Sequence, residues 1–171
     1  NTHSFSGCPN FAGQLFIGNH VKTIEKESFK DLNKLRGSII IPDSVTTIGD
    51  YAFFGCCKLS GSLKIGNSLE RICTNTFSGI KGFKGSITIG NHVKTIEKES
   101  FKDFSKLSGS LNIPESVIFI GESAFSGCSG FTGSLIIPDF VTTIGDFAFS
   151  RCNGFSGLLK MRFSIAIYNK I

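Results

Sequence analysis

Six cysteines and three histidines are the residues of this chain best suited to chemistry. Four of the cysteines, Cys8, Cys56, Cys128 and Cys152, are separated by multiples of 24 residues. At the same offset other parts of the chain carry Leu32, Ile80 and Phe104. A position that takes Leu, Ile, Phe or Cys is a buried apolar slot, and a free thiol there packs as a small hydrophobe. No CxxC pair occurs, so zinc ligation has no support in the spacing. Cys128 and Cys152 fall on consecutive repeats, but side chains that leave neighbouring repeats in parallel suit disulfide geometry poorly. His20 and His92 are copies of one position, three repeats apart, and cannot share a site. GxSxG, HExxH and P-loop patterns are absent. A polysaccharide lyase of the parallel solenoid kind would need charged residues clustered on adjacent strands, and the strand faces show none. The chain is therefore expected not to be an enzyme, with no catalytic residue, no metal site and no cofactor.

The elements that position these residues are set by repetition. Gly13, Gly37, Gly61, Gly85, Gly109, Gly133 and Gly157 recur every 24 residues, the signature of a stacked repeat protein. Residues 1–12 form a partial rung, six full rungs span 13–156, and residues 157–171 form a partial or capping rung. No linker or composition break divides them, so residues 1–171 read as one domain. Each rung opens with an alternating run, such as Leu135 and Ile137, whose side chains share one face of a strand. The residue between them points outward and varies: Phe16, Ile40, Lys64, Thr88, Asn112, Ile136 and Lys160. A Pro or Gly turn follows, then a VxxI segment, such as Val45 and Ile48, that reads as bent and extended. The stretch Asp50 to Cys56 has helical spacing and is expected to be a turn of helix. Seven phenylalanines, Phe5, Phe29, Phe53, Phe77, Phe101, Phe125 and Phe149, share one position and should stack as an aromatic spine. One rung cannot cover these side chains, whereas stacking makes a shared core. Seven parallel, in-register strands would make a sheet on the order of 30 Å long.

Other readings are less well supported. Residues 18–31 are identical to 90–103, which points to recent duplication, or to a binding motif presented twice. The net charge of +5 is modest. Lys22, Lys26 and Lys30 share their block with Glu25, Glu27 and Asp31, a mixed solvated face rather than a nucleic-acid stripe. Arg71 and Phe119 interrupt the threonine column Thr23, Thr47, Thr95 and Thr143, which argues against an ice-binding array. No apolar run is long enough to span a membrane and no signal peptide is visible. The chain starts without Met and in mid-repeat, and the expectation is a fragment of a longer protein whose leader, anchor or caps lie elsewhere.

The unit reads G-S-L-x-I-P-x-x-V-x-x-I-G-x-x-A-F-x-x-C-x-x-F/L. It resembles the BspA-like, or Treponema pallidum type, leucine-rich repeats of anaerobic bacteria and of parasites such as Trichomonas and Entamoeba. The match is strong at residues 41–53, 113–128 and 137–149. The common family rung is one residue shorter, and the Asn ladder of ordinary leucine-rich repeats is missing. The resemblance implies a right-handed leucine-rich-repeat solenoid with a parallel sheet and short helical turns. It also implies a cell-surface or secreted adhesion protein that binds other proteins, host surface or matrix proteins among them. The residues expected to face a partner are Phe16, Ile40, Lys64, Thr88, Asn112 and Ile136. The alternative is a structural spacer within a larger surface protein.

Overall fold

The computed structural model describes residues 4–8 and 10–161, together with the backbone of Ala166–Ile167. It is a parallel β-solenoid in which the same rung positions lie above one another. The outward-facing strands pair in register, Ile40 with Lys64 and Lys64 with Thr88. The inward residues on either side, Ile39, Ile41, Leu63, Ile65 and Ile87, are buried. The VxxI segments form a second ladder of two-residue strands. It runs without a break through Arg71–Ile72, Thr95–Ile96, Phe119–Ile120, Thr143–Ile144 and Ala166–Ile167. Thr23–Ile24 and Thr47–Ile48 pair separately.

The aromatic spine is continuous. All seven rings stack on their neighbours, with centroids 5.1–5.7 Å apart and planes within 5–12° of parallel. Phe53, Phe77, Phe101 and Phe125 are fully buried, while Phe5, with a single spine neighbour, is 43% exposed. A second column made by Leu35, Leu59, Phe83, Leu107 and Phe131 closes the other side of the core.

Three expectations need correction. The first is the helical turn: no helix occurs among the described residues. Tyr51 (φ +58°) and Gly55 (φ +73°) adopt left-handed backbone, which interrupts a right-handed helix after every few residues. The segment is instead a run of tight turns. The N–H groups of Ala52, Phe54 and Cys56 bond back to Gly49, Tyr51 and Phe53. The N–H groups of Tyr51, Phe53 and Gly55 donate to the carbonyls of Thr74, Thr76 and Ser78 on the next rung, at 2.8–3.1 Å. Alternate amides thus serve the turn and the stack, and a third ladder results.

The second correction concerns the strand sheet, which is interrupted. Ile39–Ile41, Leu63–Ile65 and Ile87–Thr88 form one piece, and Gly133–Ile136 with Phe155–Lys160 another. The runs at Leu15–Ile17 and Leu111–Ile113 form no strand. Within a piece, the serine after the glycine cements the stack: Ser38 Oγ accepts the Ser62 N–H at 3.0 Å and Ser62 Oγ the Ser86 N–H at 3.3 Å. The sheet ends where Gly109 and Gly133 take φ of +88° and +78°, a conformation open to glycine. The third correction is Cys8, which is exposed rather than buried in the apolar slot. The expectation of a capping rung at 157–171 falls largely outside the described residues.

Candidate functional site

The solenoid presents its outward strand row as a surface. Phe16 is 84% exposed, Ile40 58% and Ile136 48%, and Lys64, Thr88 and Asn112 are also exposed. The interruption divides the row. Ile40, Lys64 and Thr88 sit on consecutive paired strands, Ile136 pairs with Lys160 on a separate piece, and Phe16 and Asn112 belong to unpaired runs. At the Phe16 end a shallow groove of about 420 Å³ lies beside the row. Its walls are the apolar Leu15, Phe16, Ile17 and Ile40, with Asn19 and Ser38 as polar groups. An apolar floor with a few polar groups is what a protein contact uses.

The cysteine slot does more than hold an apolar side chain. The thiols of Cys56, Cys128 and Cys152 donate to the carbonyls of Phe29, Phe101 and Phe125 at 3.0–3.1 Å. Each thiol therefore links one rung to the spine residue of the rung before. Cys8 would need a partner beyond the first rung. Burial pushes the Cys56 thiol up to about 12. Burial, then the neighbouring Cys152 thiol, pushes Cys128 up as well. Cys152 is the less buried of the two and ionises first, its thiolate stabilised by the Cys128 thiol. Cys56 and Cys128 are therefore unreactive thiols, since the thiolate is the nucleophile.

One cluster was not legible as a motif. The Cys73 thiol and the carboxylates of Asp50 and Glu97 approach within 4.8 Å of one another. The rung offset would have found it, since Cys73 and Glu97 lie 24 residues apart and Asp50 stands beside both. The carboxylates already have partners. Asp50 accepts the Thr74 N–H at 3.1 Å, and Glu97 takes the Arg71 guanidinium, with Nε at 2.6 Å, and the Thr74 hydroxyl at 3.3 Å. Burial, then the charges of Glu97 and Asp50, push Cys73 up to about 11. With these bonds the arrangement forms a polar seam that ties three rungs together.

The duplicated blocks do not form equal sites. Lys30–Glu27 and Lys102–Glu99, both at 3.2 Å, are shared by the two copies. Lys94–Glu70 at 3.2 Å and Lys98–Glu122 at 2.9 Å depend on neighbouring rungs that differ between the copies. His20 and His92 are exposed and lie three rungs apart, as the spacing predicted.

A stack of in-register rungs around an aromatic spine defines a leucine-rich-repeat solenoid. Six copies of the BspA type Leucine rich repeat region match residues 1–132 and 81–164, and the chain belongs to that family. Three solved structures share the fold. A leucine-rich repeat protein from Bacteroides ovatus has a TM-score of 0.73 at 22% identity, covering 99% of this chain and 54% of its own. The Leucine Rich Repeat protein of T. pallidum has a TM-score of 0.74 at 24% identity, covering 93% and 79%. A leucine rich cell surface protein from Faecalibacterium prausnitzii has a TM-score of 0.65 at 25% identity, covering 87% and 47%. The chain thus spans about half the length of the Bacteroides and Faecalibacterium proteins. No curated protein matches it significantly.

Proposed function

We propose that this chain is a non-catalytic protein-binding scaffold, part of a cell-surface or secreted adhesion or host-interaction protein. The observation that carries the reading is the outward row, where Ile40 and Ile136 stand in solvent on paired strands of two separate pieces and Phe16 stands exposed on an unpaired run. Exposed apolar groups on a repeat surface are available to a partner with little reorganisation, and several rungs can each add a small contact. The family and the cell-surface description of the Faecalibacterium relative support the surface assignment. The partners are other proteins, with host surface or matrix proteins as the first candidates. No cofactor and no metal enters this function.

The test is binding of the folded chain to host cells and to immobilised matrix proteins, measured beside its melting temperature. Ile40→Lys combined with Ile136→Lys should weaken binding about tenfold or more, as removal of central apolar contacts does, while leaving stability nearly unchanged. Full binding by that double variant would move the contact off the strand row. Absence of binding by a well-folded chain would favour the structural spacer.

A further inference from the structure

The return leg of each rung leads from the turns back to the next strand. Across 32–36, 56–60, 80–84, 104–108, 128–132 and 152–156 these legs carry no carboxylate at all. They do carry six cations: Lys34, Arg36, Lys58, Lys81, Lys84 and Lys106. All six are exposed and all fall on four consecutive rungs. Lys34, Lys58 and Lys106 share one rung position, and Arg36 and Lys84 another, so the charges run parallel to the solenoid axis. The legs are held in register by bonds between rungs, among them Arg36 N–H to the Gly13 carbonyl at 2.7 Å and Ser60 N–H to the Gly37 carbonyl at 3.1 Å. Elsewhere on the molecule Lys30, Arg71, Lys94, Lys98 and Lys102 are paired with carboxylates. Among the described residues, none of the six return-leg cations has a carboxylate partner. Lys34 has a side-chain bond to the neutral Asn10 amide at 3.0 Å.

We propose that this basic edge is a binding surface for a linear sulfated polysaccharide. It is distinct from the strand row and does not rest on the protein-binding reading. A row of unneutralised cations on a rigid scaffold attracts a linear polyanion and releases its counterions. Four rungs at the usual strand spacing of roughly 4.8 Å set the charges along about 15 Å, a narrow track suited to a chain rather than to a plane. An anionic membrane would use apolar anchors beside the charges, and the cationic legs expose no large apolar group. A single-stranded nucleic acid would use aromatic platforms for its bases. The aromatic residues on these four legs, Phe83 and Phe104, are buried. Five of the six cations are lysines, point charges that suit scattered sulfates more than the bidentate grip arginine gives to phosphate.

The experiment measures affinity of the 171-residue chain for heparin, for a single-stranded oligonucleotide and for phosphatidylserine vesicles across a range of salt. With four cations engaged, the log of heparin affinity should fall against log salt with a slope of about −3, a loss of about sixtyfold from 50 to 200 mM. The variant Lys34→Gln/Lys58→Gln/Lys84→Gln/Lys106→Gln should lose most of both affinity and slope. A control with equal charge removed, Lys22→Gln/Lys26→Gln/Lys94→Gln/Lys98→Gln, should keep them. The corresponding arginine substitutions on the return legs should retain binding, and melting curves check that each variant folds. Equal losses in the two glutamine variants would overturn the proposal, leaving only net charge. Tighter binding to the oligonucleotide or the vesicles than to heparin would overturn it in favour of those partners.

Discussion

Phe101→Ala removes one ring from the middle of the spine. Phe101 is fully buried, stacked on Phe77 at 5.7 Å and on Phe125 at 5.1 Å, with the edge of Phe104 at 5.9 Å. Burial of a phenylalanine side chain contributes about 1.5–3 kcal/mol. Each ring pair adds about 0.5–1.5 kcal/mol beyond its area. The void left between two filled rungs cannot close, because the carbonyls of Ala124 and Ser100 hold the backbone on both sides through the Phe101 and Phe77 N–H groups. These contributions agree with the about 3–5 kcal/mol measured for buried Phe→Ala changes. In a chain of this size that corresponds to a melting temperature lower by roughly 10 °C. Far-ultraviolet circular dichroism through a thermal or urea unfolding series measures it. Thr88→Ala, on the outward strand face, should change stability by less than about 0.5 kcal/mol. Equal, small losses for the two variants would refute the assignment of the spine and with it the phase of every rung.

Thiol labelling of the folded chain should proceed first at the exposed Cys8 and Cys57, next at the half-buried Cys73 and Cys152, and last at the buried Cys56 and Cys128; fast reaction at Cys128 would contradict the buried slot. Alkaline pH should destabilise the fold through the thiols that burial raises, Cys56, Cys73 and Cys128. The folded pKa of Cys56 is raised from 9.0 to about 12. The stability it protects is therefore complete below pH 9 and is lost as pH rises from there towards 12, by up to about 1.4 kcal/mol per pH unit per thiol. Cys56→Leu, which copies Leu32, should flatten the fall of the urea midpoint over that range; an unchanged slope would show that Cys56 is not protonated and buried in the native state.

The period alone carried much of the fold. Gly13 to Gly157 fixed the rung, and Phe5 to Phe149 fixed the core column, because burial of one side chain at every repeat needs in-register stacking. The VxxI segment, read as bent and extended, is the second ladder. Spacing misled at Asp50–Cys56, where a separation of three residues fits both a helix and a succession of turns. The deciding quantity there is the sign of φ at Tyr51, a tyrosine that gives no warning of left-handed backbone. The breaks in the sheet were equally hidden, since Gly85 and Gly109 are the same residue at the same position and only Gly109 takes positive φ. The outward row was legible as exposed, but not its division into pieces. The polar seam at Cys73 and the basic return legs were missed because their members are far apart along the chain and adjacent only when it is wound at its period.

The hydrogen bonds between rungs point along the solenoid axis. A pull on the two ends of the chain therefore loads them in series, rung after rung, rather than in parallel as in a sheared sheet. Such a stack yields by peeling, one rung at a time, with a repeated modest force in place of one high peak. Each released rung of 24 residues frees up to about 80 Å of extended chain, at roughly 3.3–3.6 Å per residue. For a molecule joining two surfaces, the solenoid would act as a force-limiting tether that lengthens before it lets go.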